Sequence, residues 1–417
     1  MKLLIPRRWA IFVVTALLFI LSQFYRTSIA VITPQLISDL SLDTKGLSLV
    51  SATFFYAFAL AQIPIGIYLD YVGPRKTMTF LSLVAVAGGL LFAWADSPSQ
   101  LILGRILLGM GMACNLIGTL KLLTLWFDPL RFATISALVI SIGTIGNITA
   151  TTPLVMMVQK AGWRPTFTIF AVINLLLALI FFLITRDKPS ETSWQQAPPE
   201  DPLGLRATLF GLKHLFLEKD YWIISLGTFC RYGILAAVQA LWAGPYLIKV
   251  IGLSAISTGN LLFLLNISLI LGYPLWGLLS DRLLKTRKWL VTFGLASLGF
   301  TLATLAFIEP GSSLLVLSVL FFGIGLFSSV GGLMLTHIKE MMPIKMAGTA
   351  MTAINFFTMI GAAVFLQGLG NFMQYVYPQA TFGQEAFKGS FLICAVLLAA
   401  VTVLYSLTRD TRANKSK

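Results

Sequence analysis

Apolar runs of about twenty residues, each closed by a short polar turn, recur from one end of the chain to the other. A helix of that length crosses about 30 Å of hydrocarbon. The pattern predicts twelve such helices. The first six cover about 10–31, 47–68, the stretch ending near 94, 101–126, 132–157 and the stretch ending near 185. The second six cover about 222–250, 258–280, 289–308, 312–337, 346–372 and 388–408. A polar, Pro- and charge-rich stretch (KPSETSWQQAPPEDP) interrupts them. It predicts halves at 1–187 and 221–417 joined by a linker at 188–220, within which Leu203 to Glu218 reads as an interfacial helix.

Composition narrows the class. At 57% hydrophobic and 11% charged residues, the chain lacks the charge to cover a soluble surface of this size. It reads as an all-α polytopic membrane protein with the bilayer as its solvent. The net charge of +14 raises the question of nucleic acid. Most of the thirty Lys and Arg, however, fall in one alternating set of loops and termini, including Arg7, Arg8, Arg131, Lys339, Lys345 and the tail from Arg409. Lys45, Lys160, Arg164, Lys249 and Lys388 lie on the other side. The positive-inside rule then puts both termini and the linker in the cytoplasm, in a cell-membrane protein. The charge is topology signal, and nucleic acid is not an expected partner. Cys114, Cys230 and Cys394 fall inside apolar runs, without metal-site spacing or a disulfide framework, and no cofactor is implied. The N-terminal run reads as an uncleaved first span.

One polar loop carries a motif. Gly66 to Lys76 reads GIYLDYVGPRK, and a second copy, GLLSDRLLKTRK, runs from Gly277 to Lys288. Aligning Asp70 with Asp281 makes the two halves repeats of each other. This duplicated GxxxDxxGxRK loop, the LxxxRxxxGxG run around Arg105 and the GWRPTF segment that opens the sixth span resemble the major facilitator superfamily over essentially the whole chain. The second loop lacks the turn glycine. The resemblance implies two pseudosymmetric six-helix bundles around a central cavity, alternating access and a monomer. Under it, Asp70, Arg75, Lys76, Asp281, Arg282, Arg287 and Lys288 make and break an inner gate.

Cargo is read from charges inside the spans. Arg26, Arg105, Lys121 and Arg231 are intramembrane cations, while the acids fall in loops or at span ends. Each such cation costs a few kcal/mol on insertion scales and is a functional candidate by default. Arg105 is equally open to a structural or coupling role. Arg26 and Arg231 lie in the first span of each half, and a guanidinium fork suits carboxylate or phosphate. RYGIL, beginning at Arg231, and the spacing from Arg26 to Pro34 resemble the organophosphate:phosphate antiporters. Arg26 precedes its motif aspartate by 44 residues and Arg231 by 50, an offset of about 9 Å along a helix. Snorkelling, or a polar contact between helices, is the alternative for either. Tyr25, Tyr56, Gln239, Trp242, Asn266 and Asn355 are candidate cavity residues, with Lys121 either extending the site or reaching the inner surface.

The expectation is a transporter of a small organic anion, carboxylate or organophosphate. Amino acids or short peptides, or hydrophobic drugs, are alternative cargoes. An intramembrane enzyme finds no metal motif, paired acids or Ser-His pairing here.

Overall fold

The computed structural model describes residues 6–127, 129–187, 216–341 and 347–411. Most of the linker (188–215, with His214) and Lys345 lie outside the described residues, as do the side chains of Asp70 and Arg131.

The first half builds α1 (Arg7–Thr27), α2 (Ile29–Leu40), α3 (Thr44–Tyr71), α4 (Pro74–Ala93), α5 (Pro98–Met112), α6 (Asn115–Trp126), α7 (Pro129–Thr149), α8 (Thr152–Ala161) and α9 (Trp163–Ile184). The second builds α10 (Lys219–Ala237), α11 (Ala255–Leu278), α12 (Lys288–Leu305), α13 (Leu314–Ser328), α14 (Gly331–Met341), α15 (Ala347–Val376) and α16 (Gln384–Tyr405). Eleven helices among the described residues are long and apolar enough to cross a membrane, and Leu138–Thr149 with Thr152–Ala161, bent by 42°, makes a twelfth. The predicted spans all appear. Their breaks are what periodicity did not show: α1 gives way to α2 at Ser28, α5 to α6 at Ala113, and α13 to α14 at Ser329.

Two compact units emerge. The first comprises Met1–Ser190, Val238–Phe263 and Leu366–Phe382; the second comprises Glu191–Ala237, Leu264–Phe365 and Gly383–Lys417. In the first, α4 packs along α5, α5 along α3 and α1 along α7. The Gly104/Gly109/Gly111 run lets α5 approach α3 and α4 closely. A methyl at Gly104 would stand 2.9 Å from the Phe92 nitrogen, and one at Gly109 would strike the Phe54 carbonyl. Aromatic and aliphatic side chains of α1, α6 and α7, among them Phe12, Phe19, Leu123 and Val139, fill the interior. In the second unit α12 packs along α16, and α10 along α16 and α14. Outward-facing positions stay apolar, with Phe80, Leu183 and Phe300 each more than 60% exposed. In water these would be a liability; in hydrocarbon they meet lipid tails.

Candidate substrate site and gate loops

Arg105 on α5 is buried to 1% exposure. Its Nη1 donates to the Tyr25 carbonyl at 2.6 Å and its Nε to the Val50 carbonyl at 3.3 Å, while the guanidinium lies 4.5 Å from the Phe54 ring centroid. One side chain thus ties α5 to α1 and α3. The α1 carbonyl is available because that helix ends two residues later. Arg105 therefore has the geometry of a structural tie. Tyr25 lends its carbonyl to this tie and turns its ring inward beside Phe24 and Phe167. Its buried hydroxyl, over Gly89, has no hydrogen-bond partner among the described residues.

Arg26, half-buried, lies 4.8 Å from the Phe58 ring. Tyr56 on α3 donates to the Gln367 side chain at 3.1 Å, and Trp242 donates from Nε1 to the Leu366 carbonyl at 3.3 Å. Two predicted cavity residues therefore meet neighbouring positions of α15. Gln239 and Trp242 share a π-helical turn, Val238–Trp242, that continues α10. Such turns are wider than α-helix and recur at functional positions. The first unit holds Tyr25, Arg26, Tyr56, Lys121, Gln239 and Trp242; the second holds Arg231, Asn266 and Asn355. Lys121 on α6 and Asn355 on α15 are half-buried, and Asn266 on α11 is buried.

Arg231 on α10 is 5% exposed. Its Nη1 donates to the Ser328 carbonyl at 2.7 Å, at the break between α13 and α14, and its guanidinium lies where a methyl on Gly331 would be. It forms no ion pair among the described residues, and its buried Nε has no hydrogen-bond partner there. In the first unit the corresponding contact belongs to Ser22, whose hydroxyl donates to the Met112 carbonyl at the α5–α6 break at 3.3 Å. Arg26 lies one turn beyond Ser22, which covers four of the six residues by which the two arginines are out of register.

The two motif loops differ in how they turn. Gly73 takes φ of 92°, the left-handed region that favours glycine. The second loop, without a glycine, turns at Lys285 with φ of 48°. Asp281 and Arg282 sit in a π turn, Leu279–Leu283. Arg287 bonds Asp281 at 2.7 Å, Glu340 at 3.0 Å and the Ser280 hydroxyl at 2.8 Å. The Arg75 Nε instead donates to the Phe182 carbonyl at 2.9 Å, its guanidinium 4.2 Å from the Phe182 ring. Lys76 is exposed beside an apolar groove of about 500 Å³ between α3 and α4, floored by Met110. The GWRPTF segment also acquires a role. Asp39, at the end of α2, accepts from the Trp163 Nε1 at 2.8 Å and from Arg164 at 3.0 Å, and Arg164 also donates to the Ala95 carbonyl at 2.9 Å. The Trp163 hydrogen bond above all holds the Asp39 carboxyl below the ordinary carboxylate range.

The sequence profile of the Major Facilitator Superfamily matches residues 15–366. The chain belongs to the major facilitator superfamily. It is a membrane transporter, and its relatives are transporters, not enzymes. It is 26% identical over 344 residues to a probable sulfoacetate transporter of Cupriavidus necator, covering 79% of this chain and 80% of that one. To a probable L-galactonate transporter of Escherichia coli it is 25% identical over 329 residues, 74% and 70% of the two chains. To a probable hexose phosphate transport protein of Chlamydia muridarum it is 22% identical over 410 residues, 91% and 86%. Among solved structures, a bacterial homologue of the human lysosomal transporter Spinster, inward-facing and unoccupied, superposes with a TM-score of 0.78 at 19% identity, covering 96% of this chain and 97% of that one. The twelve-helix major facilitator fold is thereby shown.

Sequence reading missed the superfamily loops' own anchors. Asp187, just past α9, accepts the Arg75 backbone N–H at 2.7 Å, and Asp410, just past α16, accepts that of Arg287 at 3.1 Å. A signal was present: Thr185-Arg186-Asp187 and Thr408-Arg409-Asp410 are the same tripeptide at the end of each half.

Proposed function

We propose that this transporter carries a small organic anion, and that Arg231 is a cation that meets it. The observation that carries the reading is the buried guanidinium of Arg231, with no carboxylate partner among the described residues and its buried Nε without a hydrogen-bond partner there. Charge buried in that way is costly unless a counter-charge arrives. A planar fork selects carboxylate, sulfonate or phosphate, the groups borne by the substrates named for the relatives. Arg26 is the second cation of this reading, with Lys121, Tyr25, Tyr56, Gln239, Trp242 and Asn355 as the candidate lining. The partner is a small anionic solute, the working unit a monomer, and both termini are cytoplasmic.

Thermal-shift titration of the purified chain tests it. Sulfoacetate, tartrate, galactonate and glucose 6-phosphate are compared with glycine, a dipeptide and tetraphenylphosphonium. A ligand at 100 times its dissociation constant adds about 2.7 kcal/mol to the folded state. Stabilisation by at least one anion is expected in the wild type and is lost in Arg231→Ala. Stabilisation by tetraphenylphosphonium alone would overturn the reading.

The loop motifs are proposed as the gate, with Asp70, Arg75 and Lys76 in one bundle and Asp281, Arg282, Arg287 and Lys288 in the other. Asp70→Asn is expected to slow turnover several-fold while leaving the anion's apparent affinity within about twofold, because a gate contact acts on the conformational step and not on the bound solute. Uptake kinetics in proteoliposomes check this. A change confined to KM would remove Asp70 from the gate.

A further inference from the structure

The last helix of each half is followed by the same three residues, and the structure uses both copies in the same way. In the first unit the Arg186 carbonyl accepts the Trp126 indole N–H at 2.9 Å, which fixes the tripeptide against the end of α6. The next residue, Asp187, turns its carboxylate onto the Arg75 backbone N–H, and this N–H is one that the start of α4 cannot satisfy internally. In the second unit the Arg409 carbonyl lies 2.9 Å from the His337 Nε2, at the end of α14. A carbonyl only accepts, so Nε2 carries the proton, and in the neutral ring Nδ1 then accepts from the Tyr405 hydroxyl at 2.8 Å. Asp410 accepts the Arg287 backbone N–H at the start of α12, and also the Thr286 hydroxyl.

We propose that the two Thr-Arg-Asp tripeptides are matched anchors that fasten each gate loop to its own bundle. Each anchor has two points, a carbonyl held by a ring N–H of the fourth or tenth span and a carboxylate that caps the third or ninth. Asp187 and Asp410 are positioning residues: they set where Arg75 and Arg287 stand without touching cargo.

Two further contacts support the assignment. Gly73 is required by more than its turn, since a methyl there would stand 2.8 Å from the Asp187 Oδ2. The glycine of the loop motif therefore leaves room for the carboxylate that anchors the loop. In the second unit the anchor extends on either side. Arg409 donates to Asp220 at 2.6 Å and to Glu218 at 2.9 Å, and the Thr411 hydroxyl donates to Glu340 at 2.7 Å. Glu340 in turn holds Arg287. A helix N-terminus capped by a carboxylate gains both the hydrogen bond and the favourable end of the helix dipole, so each loop moves with its bundle as one body.

Hydrogen–deuterium exchange on the ligand-free, full-length protein in detergent tests this whatever the cargo proves to be. Asp187→Ala is expected to speed exchange across peptides covering 73–79 at least tenfold and to leave 285–292 unchanged; Asp410→Ala is expected to do the reverse. Asn at either position keeps an acceptor oxygen and restores most of the protection. Trp126→Phe removes the indole N–H while keeping an aromatic ring, and is expected to loosen the 73–79 loop with Asp187 intact. Exchange that rises throughout a unit, or not at all, in the Ala and Phe variants would overturn the proposal.

Discussion

Arg105→Ala is expected to lower the thermal midpoint of the protein sharply while leaving anion recognition to the molecules that still fold. Two buried carbonyls, those of Tyr25 and Val50, would lose their charged donor and keep only a hydroxyl, that of Ser28 at 3.5 Å and that of Thr53 at 3.1 Å. A hydrogen bond to a charged group contributes about 1.5–3 kcal/mol. The void against Phe54 adds to that, since a truncated side chain leaves a cavity the surroundings only partly fill. Arg105→Lys is expected to fall between, because one ammonium reaches one carbonyl well and two poorly. Unfolding followed by tryptophan fluorescence, with ligand-induced stabilisation measured on the same samples, separates the terms. Arg231→Ala is expected to give the opposite pattern. It frees one carbonyl, that of Ser328, so its midpoint falls less, but its response to anions disappears. If Arg105→Ala instead kept its midpoint and lost only the ligand response, the tie would be a substrate contact.

These two arginines show what could be read from the chain alone and what could not. The spans were legible because hydrocarbon thickness dictates run length, and the duplicated loop because an acid and paired cations stand out against apolar sequence. Which arginine bonds a carbonyl of its own bundle was not legible. For the Tyr25 and Ser328 carbonyls that depends on the helix breaks at Ser28 and Ser329, near which carbonyls lose intrahelical partners and become acceptors. Ser at those positions carries no break signal in a sequence. Asp187 and Asp410 were hidden for a different reason. They sit at the boundary between span and loop, where an acid reads as ordinary punctuation until its partner, more than a hundred residues away, is brought alongside. The tripeptide repeat was visible but short, and three residues in common mean little before both copies are seen to make the same bonds.

Gly244→Val is the other substitution with a large expected effect. Gly244 lies in the short turn Ala243–Pro245 between two π-helical segments, and a methyl there would overlap the Ala30 carbonyl of α2. The obstacle is backbone on backbone, so no rotamer change relieves it. The two segments must part, and overpacking of this kind costs about 1–3 kcal/mol or more. The contact belongs to the first unit, where Trp242, two residues earlier, reaches Leu366 and Tyr56 reaches Gln367. Opening the turn is therefore expected to loosen both. The readout is alkylation of a cysteine placed at Ala30, which is fully buried, with the native Cys114, Cys230 and Cys394 also buried and silent. In the otherwise wild-type protein the probe reacts slowly; with Gly244→Val it is expected to react at least tenfold faster. Gly244→Ala falls between. Equal rates in all three would mean that the seat of Gly244 on Ala30 does not shield this position, and would overturn the prediction.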